Sequence, residues 1–264
     1  MFEIRHIAET TSTNEWIKGS GKPTYSLGEG GGFVVWADYQ TAGRGQGTNT
    51  WESERGKNLT FSMMIRPRQV AASEQFILSM AHALVLKKAL DAYPQPLPKR
   101  KGVFSIKWPN DIYWNDRKIS GTLIENRLQG SYISECIIGT GINVNQQRFV
   151  SDAPNPVSLR QIVGEDVDRE ELLHTILELW SEMMDTWNPE EIRKSYRQQM
   201  YRGEGWFEYS DKDGPFTARL VSVEDDGHLV LCDTNGRERR YGFKEVTFLI
   251  DNSLQAKRHS RAEN

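Results

Sequence analysis

Four short segments carry residue types that could do chemistry. The first is Gly43-Arg44-Gly45-Gln46-Gly47-Thr48-Asn49, which closely follows an apolar run. Three glycines in five residues let a backbone approach a ligand closely, and their N–H groups can point at an anion. Arg44 adds a forked donor suited to carboxylate or phosphate. The segment lacks the GK[ST] of a Walker loop, and Thr48 stands where GxGxxG needs its last glycine. The second is Lys107-Trp108-Pro109-Asn110-Asp111-Ile112, with two short oxygen-bearing side chains on a turn. An Asp there can hold Mg²⁺ beside phosphate oxygens, although an Asx turn of an ordinary hairpin would read the same. Seven residues on, Arg117-Lys118-Ile119-Ser120-Gly121 puts a lysine before a close-approach glycine, where it can neutralise charge at a phosphoryl centre. The last, Gly139-Thr140-Gly141-Ile142-Asn143-Val144, also suits a bulged strand end. No GxSxG and no Cys-His proximity is visible, so nucleophilic triad chemistry has no support.

These segments need a scaffold. Phe76, Ile77, Met80, Leu84 and Leu90 recur at helical spacing, which predicts a helix over Ser73–Tyr93 with Ser73 as N-cap, before prolines 94, 96 and 98. A second helix is predicted from Asp168 to Trp187, its apolar stripe running from Leu172 to Met183. Strands are predicted at Phe33–Ala37, Leu59–Ile65, Val103–Trp108, Asp111–Trp114, Lys118–Arg127 and Tyr132–Val144. Strands bunched together with helices around them point to an α+β fold, a mixed sheet with helices packed on it. From Gly205 onward, turns at Asp211–Gly214, Asp225–Gly227 and Thr234–Gly236 predict a small β-barrel. The expected division is a catalytic domain over 1–198, the barrel over 199–252 and a disordered tail over 253–264.

Composition removes several function classes. Lys plus Arg total 33 and Asp plus Glu 36 in 264 residues, a net charge of −3 that argues against nucleic acid as the main partner. Two cysteines without a CxxC exclude a disulfide framework or Cys-based zinc site. No apolar run reaches membrane-spanning length, and no signal peptide is visible, so a cytoplasmic protein is expected.

Taken in order, the motifs resemble those of biotin protein ligases. Thr11-Ser12-Thr13-Asn14, Ala37-Asp38-Tyr39-Gln40-Thr41-Ala42-Gly43-Arg44-Gly45, Trp51, the Lys107–Ile112 and Arg117–Gly121 segments, and Gly139–Asn143 all match. The resemblance covers the chain to about residue 190, with a class II synthetase-like catalytic domain, and the final segment looks like the family's SH3-like domain. It implies that biotin and MgATP form biotinyl-5′-adenylate, and that biotin then passes to a lysine of a biotin carboxyl carrier domain. It further implies that Ser12, Thr13, Asn14 and Gln40 bind the ureido ring, and that Gly43, Arg44, Gly45 and Gln46 close over biotin and adenylate. Lys118, with Arg44 the implied catalytic residue, would contact the carboxylate and α-phosphate, with Gly121 beside it. Lys107, Asn110 and Asp111 would face triphosphate and magnesium, with Asp111 as metal ligand. Trp51 and Asn143, with Arg44, would serve the nucleotide.

Two departures matter. The family loop often runs GRGRRGR and then Lys-Trp, whereas this one reads Gly45-Gln46-Gly47-Thr48-Asn49-Thr50-Trp51. A charge-assisted hydrogen bond is worth roughly 1.5–3 kcal/mol, so the grip on the adenylate is expected to loosen by about one to two orders of magnitude unless Arg55 or Lys57 compensates. The biotin motif also begins at Ser12, leaving no room before it for the winged helix of repressor members, so DNA binding is not expected. The loop Gly43–Asn49 is expected to be poorly ordered until ligand arrives. The alternatives are a lipoate or octanoate ligase or transferase of the related fold, and a non-enzymatic binding module using the Arg237–Arg240 stretch. Whether the chain forms a homodimer is open.

Overall fold

The computed structural model describes residues 2–19, 31–94, 102–150 and 155–250. The expected tail over 253–264 and the Pro96–Pro98 segment lie outside these. The chain divides into two compact units, Met1–Tyr201 and Arg202–Asn264.

The first unit is built on a seven-stranded mixed sheet in the order β1-β2-β3-β7-β6-β5-β4. Its strands are β1 (Phe2–Thr10), β2 (Gly32–Gln40), β3 (Leu59–Ile65), β4 (Phe104–Lys107), β5 (Asp111–Trp114), β6 (Arg117–Gln129) and β7 (Tyr132–Ile142). Only β1 and β2 run parallel; the other neighbours are antiparallel hairpins or returns. Asn115 and Gly130, both at positive φ, make the tight turns between β5 and β6 and between β6 and β7.

Alternation along β3, buried at every position, decides which layer each side chain meets. Phe61 sets its ring against His82 of α2 (Phe76–Asp91), while Ser62 reaches Thr13 and Asn14 of α1 (Thr13–Lys18) on the opposite face. On the α1 face, Ile17, Phe33, Val35, Met64 and Ile137 form one buried cluster. α2 packs with α4 (Arg169–Asp185) and α5 (Pro189–Gln198), after the short α3 (Leu159–Val163).

Several expectations are corrected. Ser73 is no helix cap: Ala72–Glu74 forms a 3₁₀ turn and α2 starts at Phe76 without a side-chain cap. Asp168 does cap α4, accepting from the Glu170 and Glu171 backbone N–H groups, but that helix ends at Asp185 rather than Trp187. Asn188 then caps a further helix, α5, with Pro189 in its first turn, where a missing N–H costs nothing. β1 and α1 are also additions. β1 exposes Arg5, His6, Ala8 and Glu9, which breaks the apolar alternation, and α1 has only six residues, too short to show a period.

His82 holds β7 from behind. Trp180 Nε1–H donates to His82 Nδ1 at 2.8 Å, so the ring proton sits on Nε2 and donates to Thr140 Oγ1 at 2.7 Å. Complete burial pushes the His82 pKa down to about 3. The unfolded chain binds this proton near pH 6.5 and the folded chain does not, so stability is full above that pH and falls as pH drops toward 3. The expected slope from this residue is about 1.4 kcal/mol per pH unit. Urea unfolding of wild type and His82→Asn between pH 4.5 and 6.5 checks it; equal slopes would show that His82 takes up its proton within the fold.

The second unit is a five-stranded antiparallel sheet in the order β11-β10-β9-β8-β12. The strands are β8 (Phe207–Asp211), β9 (Gly214–Val223), β10 (Leu229–Asp233), β11 (Glu238–Tyr241) and β12 (Thr247–Phe248). This arrangement is consistent with an SH3-like domain, and its turns fall where Gly214, Gly227 and Gly236 take positive φ. The Arg237–Arg240 stretch offers little free charge. Arg239 pairs with Asp211 and Asp233, and Arg240 with Glu224 and Asp226. The binding-module reading loses its basic patch.

Candidate functional site

The site lies on the α1 face of the sheet, where β2, β3, β6 and β7 meet the start of α1. The first N–H groups of any helix lack internal partners. Here Gln40 supplies one: its Oε1 accepts from the Thr13 backbone N–H at 2.8 Å and from the Thr13 hydroxyl at 3.1 Å. Ser62 Oγ lies 2.6 Å from Thr13 Oγ1 and 2.5 Å from Asn14 Oδ1. With one proton, it donates to only one of them at a time. Asn14 Nδ2 donates to Glu125 at 2.8 Å. Ser12, Thr13, Asn14 and Ser62 are all buried. The result is a fixed set of donors and acceptors, the kind a small polar ring needs in a dry pocket.

Gly139 and Gly141 floor this site. A Cβ on Gly139 would fall 2.2 Å from Asn14 Oδ1, and one on Gly141 would fall 2.2 Å from the Trp51 indole. Trp51 stays close because its N–H donates to the Gly43 carbonyl at 2.9 Å. Its indole Nε1 is buried and without a partner. The loop between them is a closed hairpin, with Arg44 bridged to Thr50 and Gly45 N–H donating to the Asn49 carbonyl at 2.8 Å.

At the same end stands Lys118. A Cβ on Gly121 would lie 3.1 Å from both Lys118 Nζ and Trp51, so glycine leaves the ammonium its space. Asp111 holds that ammonium at 2.7 Å, and both side chains keep partial solvent access. Asn143 donates its backbone N–H to the Ile119 carbonyl, tying the end of β7 to this strand.

Ser12, Thr13, Asn14, Gln40, Gly43, Trp51, Asp111, Lys118, Gly121 and Asn143 are thus joined through contacts or adjacent strands. Others stand apart. Lys107 lies over the Tyr113 ring at 5.4 Å, and Asn110 donates to Ser79 Oγ at 2.8 Å. Gln46 sits on the outer turn, its carbonyl accepting from Asn49. Arg55 pairs with Glu9 and lies over Tyr39.

Arg44 has an unforeseen partner in Glu15 of α1, at 2.5 Å. The hydrogen bond from Lys18, followed by the charges of Lys18 and Arg44, holds the Glu15 carboxyl below its usual range despite some desolvation. Glu15, Ser62 and Glu125 were not among the expected residues. Ser62 alone left a trace, a hydroxyl inside the apolar run Leu59–Ile65.

Comparison with known proteins finds relatives of the chain and of its fold. Residues 14–143 match the biotin/lipoate A/B protein ligase family. That match takes in 130 of the 264 residues. The bifunctional ligase/repressor BirA of Bacillus subtilis is 31% identical over 232 residues, covering 80% of this chain. The chain spans 64% of the length of that relative. A biotin–[acetyl-CoA-carboxylase] ligase of Paracoccus denitrificans is 29% identical over 252 residues, covering 88% of this chain and 95% of that one. Among solved structures, the Aquifex aeolicus biotin protein ligase in complex with biotin and ATP superposes with a TM-score of 0.72 at 26% identity. That match covers 93% of this chain and 98% of the other. Both sheets therefore have counterparts in that structure. No helix among the described residues is long and apolar enough to cross a membrane.

Proposed function

We propose that this chain is an ATP-dependent biotin–protein ligase. In the first step a biotin carboxylate oxygen attacks the α-phosphorus of ATP, the bond to the β-phosphate oxygen breaks, and pyrophosphate leaves. In the second, the amine of one carrier-domain lysine attacks the acyl carbon, the bond to AMP breaks, and an amide remains. A carboxylate is a poor acyl donor; the mixed anhydride has AMP as leaving group. The site's task is to hold two anions in contact, which is work for positioning and fixed charge.

One observation carries the reading. The polar set of buried Thr13, Asn14 and Ser62 with half-buried Gln40 lies at one end of the glycine floor, and the Lys118 ammonium lies at the other. Biotin has that polarity: a ureido ring with one acceptor and two donors, a thin chain, then a carboxylate. Lipoate and octanoate also end in a carboxylate but bring no amide donors or acceptor to the polar set, so they gain no hydrogen bonds there.

Within this reading Ser12, Thr13, Asn14, Gln40 and Gly43 surround the ureido end, and Gly45 and Gln46 complete the loop over it. Lys118 neutralises the carboxylate and α-phosphate where they meet, with Arg44 released from Glu15 to help. The unpartnered Trp51 N–H faces the nucleotide, together with Asn143. Magnesium enters with ATP. Near Lys118 the chain offers the Asp111 carboxylate, and Mg²⁺ characteristically takes one or two carboxylates and fills its remaining positions with phosphate oxygens and water. Among the described residues, the group of three ligand types close enough to share an ion is Glu224, Asp226 and His228 in the second unit. Arg240 already supplies positive charge there. The acceptor is a biotin carboxyl carrier domain.

ATP–pyrophosphate exchange tests the reading directly. Exchange is expected with biotin and not with lipoate, octanoate or no acid. Exchange driven by lipoate or octanoate instead would keep the fold and overturn the substrate.

A further inference from the structure

The first unit carries a second concavity, of about 830 Å³, where the ends of β3, β6 and β7 come together. Arg66, Arg68 and Arg127 line it with Leu128, Tyr132 and Glu135. The register explains how they meet. Arg127 of β6 stands opposite Glu135 of β7, and Arg66 directly follows Ile65, whose partner on β7 is Cys136. Along β6, Arg127 lies six residues beyond Gly121, roughly 20 Å at strand spacing. This concavity is separate from the Lys118 site.

Its charge is unbalanced. Three guanidiniums meet one carboxylate, a local excess of +2. Five other arginines of this unit are matched by carboxylates: Arg44 by Glu15, Arg55 by Glu9, Arg160 by Asp166, Arg169 by Asp38, and Arg193 by Glu74. Among the described residues, the Arg66, Arg68 and Arg127 side chains have no ion pair. In a protein of net charge −3, with acids available, leaving three arginines of one concavity unmatched points to an anion from outside. The volume falls in the range of small-molecule sites. Leu128 and Tyr132 keep 51% and 40% of their surface exposed there, an apolar wall beside the charge.

We infer that this concavity binds a small soluble anion bearing two or more linked phosphate groups. Guanidinium forks match phosphate oxygens two at a time, and several of them suit a ligand with several charges. A single phosphate would engage one fork and leave most of the space unused. Glu135 confines the anion to the side of the cavity formed by the arginines. The inference does not depend on the ligase reading, since it uses none of that site's residues.

Equilibrium dialysis of tripolyphosphate at low ionic strength tests it with the full chain. The proteins are wild type, Lys118→Ala, and Arg66→Gln/Arg127→Gln, the last checked by circular dichroism because its residues lie at strand ends. Lys118→Ala is expected to keep a binding event that the double variant weakens by about tenfold or more for each guanidinium lost. Tyr132→Ala, which removes no charge, is expected to weaken it less than the double variant does. Equal affinity in wild type and the double variant would overturn the site, as would loss of all binding in Lys118→Ala. So would tighter binding of a polyglutamate peptide than of tripolyphosphate, which would make the surface a protein-docking face.

Discussion

Lys118→Ala is expected to lower biotin-dependent ATP–pyrophosphate exchange by about 10²–10³-fold, the range seen when one preorganised donor to a developing charge is removed. The geometry explains why the effect should be large. Lys118 is held at 2.7 Å by Asp111, and Gly121 and Trp51 wall in the space around its ammonium. A cation fixed in this way need not reorganise when the carboxylate and α-phosphate come together. Folding should be little affected, because the Lys118–Asp111 pair retains solvent access and such pairs add little stability. Asp111→Asn is expected to lose less exchange than Lys118→Ala, since it keeps the cation and removes only its anchor. Exchange rates of the two variants at saturating biotin, beside their melting curves, decide the matter. Near-wild-type exchange by Lys118→Ala would remove the residue from the chemistry.

How much of this was legible in the sequence follows from the range of each interaction. The limits of β3 and β5 fall where the apolar runs end, because strand burial is written locally in alternation and turns. The barrel turns are equally local, each set by a glycine at positive φ. The site motifs could be placed on the chain, and the Lys118 and Gly139–Gly141 segments do fall on adjacent strands. Their partners could not be read. Asn14 meets Glu125 across 111 positions and Ser62 across 48, distances over which no periodicity reports. Arg44 was expected to be free for ligand. Its pairing with Glu15 arises only because α1, too short to announce itself, faces the loop. Trp51 was assigned to the nucleotide alone, yet it also fixes how close anything can come to Gly121 and Gly141.

The two floor glycines should separate the two ends of the site. Their side-chain positions face the same layer, two residues apart on β7, but they meet different neighbours. A methyl on Gly139 would overlap Asn14 Oδ1 at 2.2 Å, and Asn14 cannot simply turn away, being buried and bonded to Ser62 and Glu125. Relieving the overlap should cost about 1–3 kcal/mol, as overpacking does in a filled interior. If biotin's ring is held there, Gly139→Ala should raise the KM for biotin by about tenfold or more, with a smaller change in kcat. A methyl on Gly141 would instead strike the Trp51 indole, which is only half-buried and can shift. That shift moves the wall beside Lys118, so Gly141→Ala should lower kcat more than it raises the KM for biotin. Steady-state exchange kinetics for the two variants, with biotin and ATP varied separately, test the assignment. The reverse pattern, with KM for biotin following Gly141, would place the ureido ring at the Trp51 end and invert the proposed orientation of the substrate.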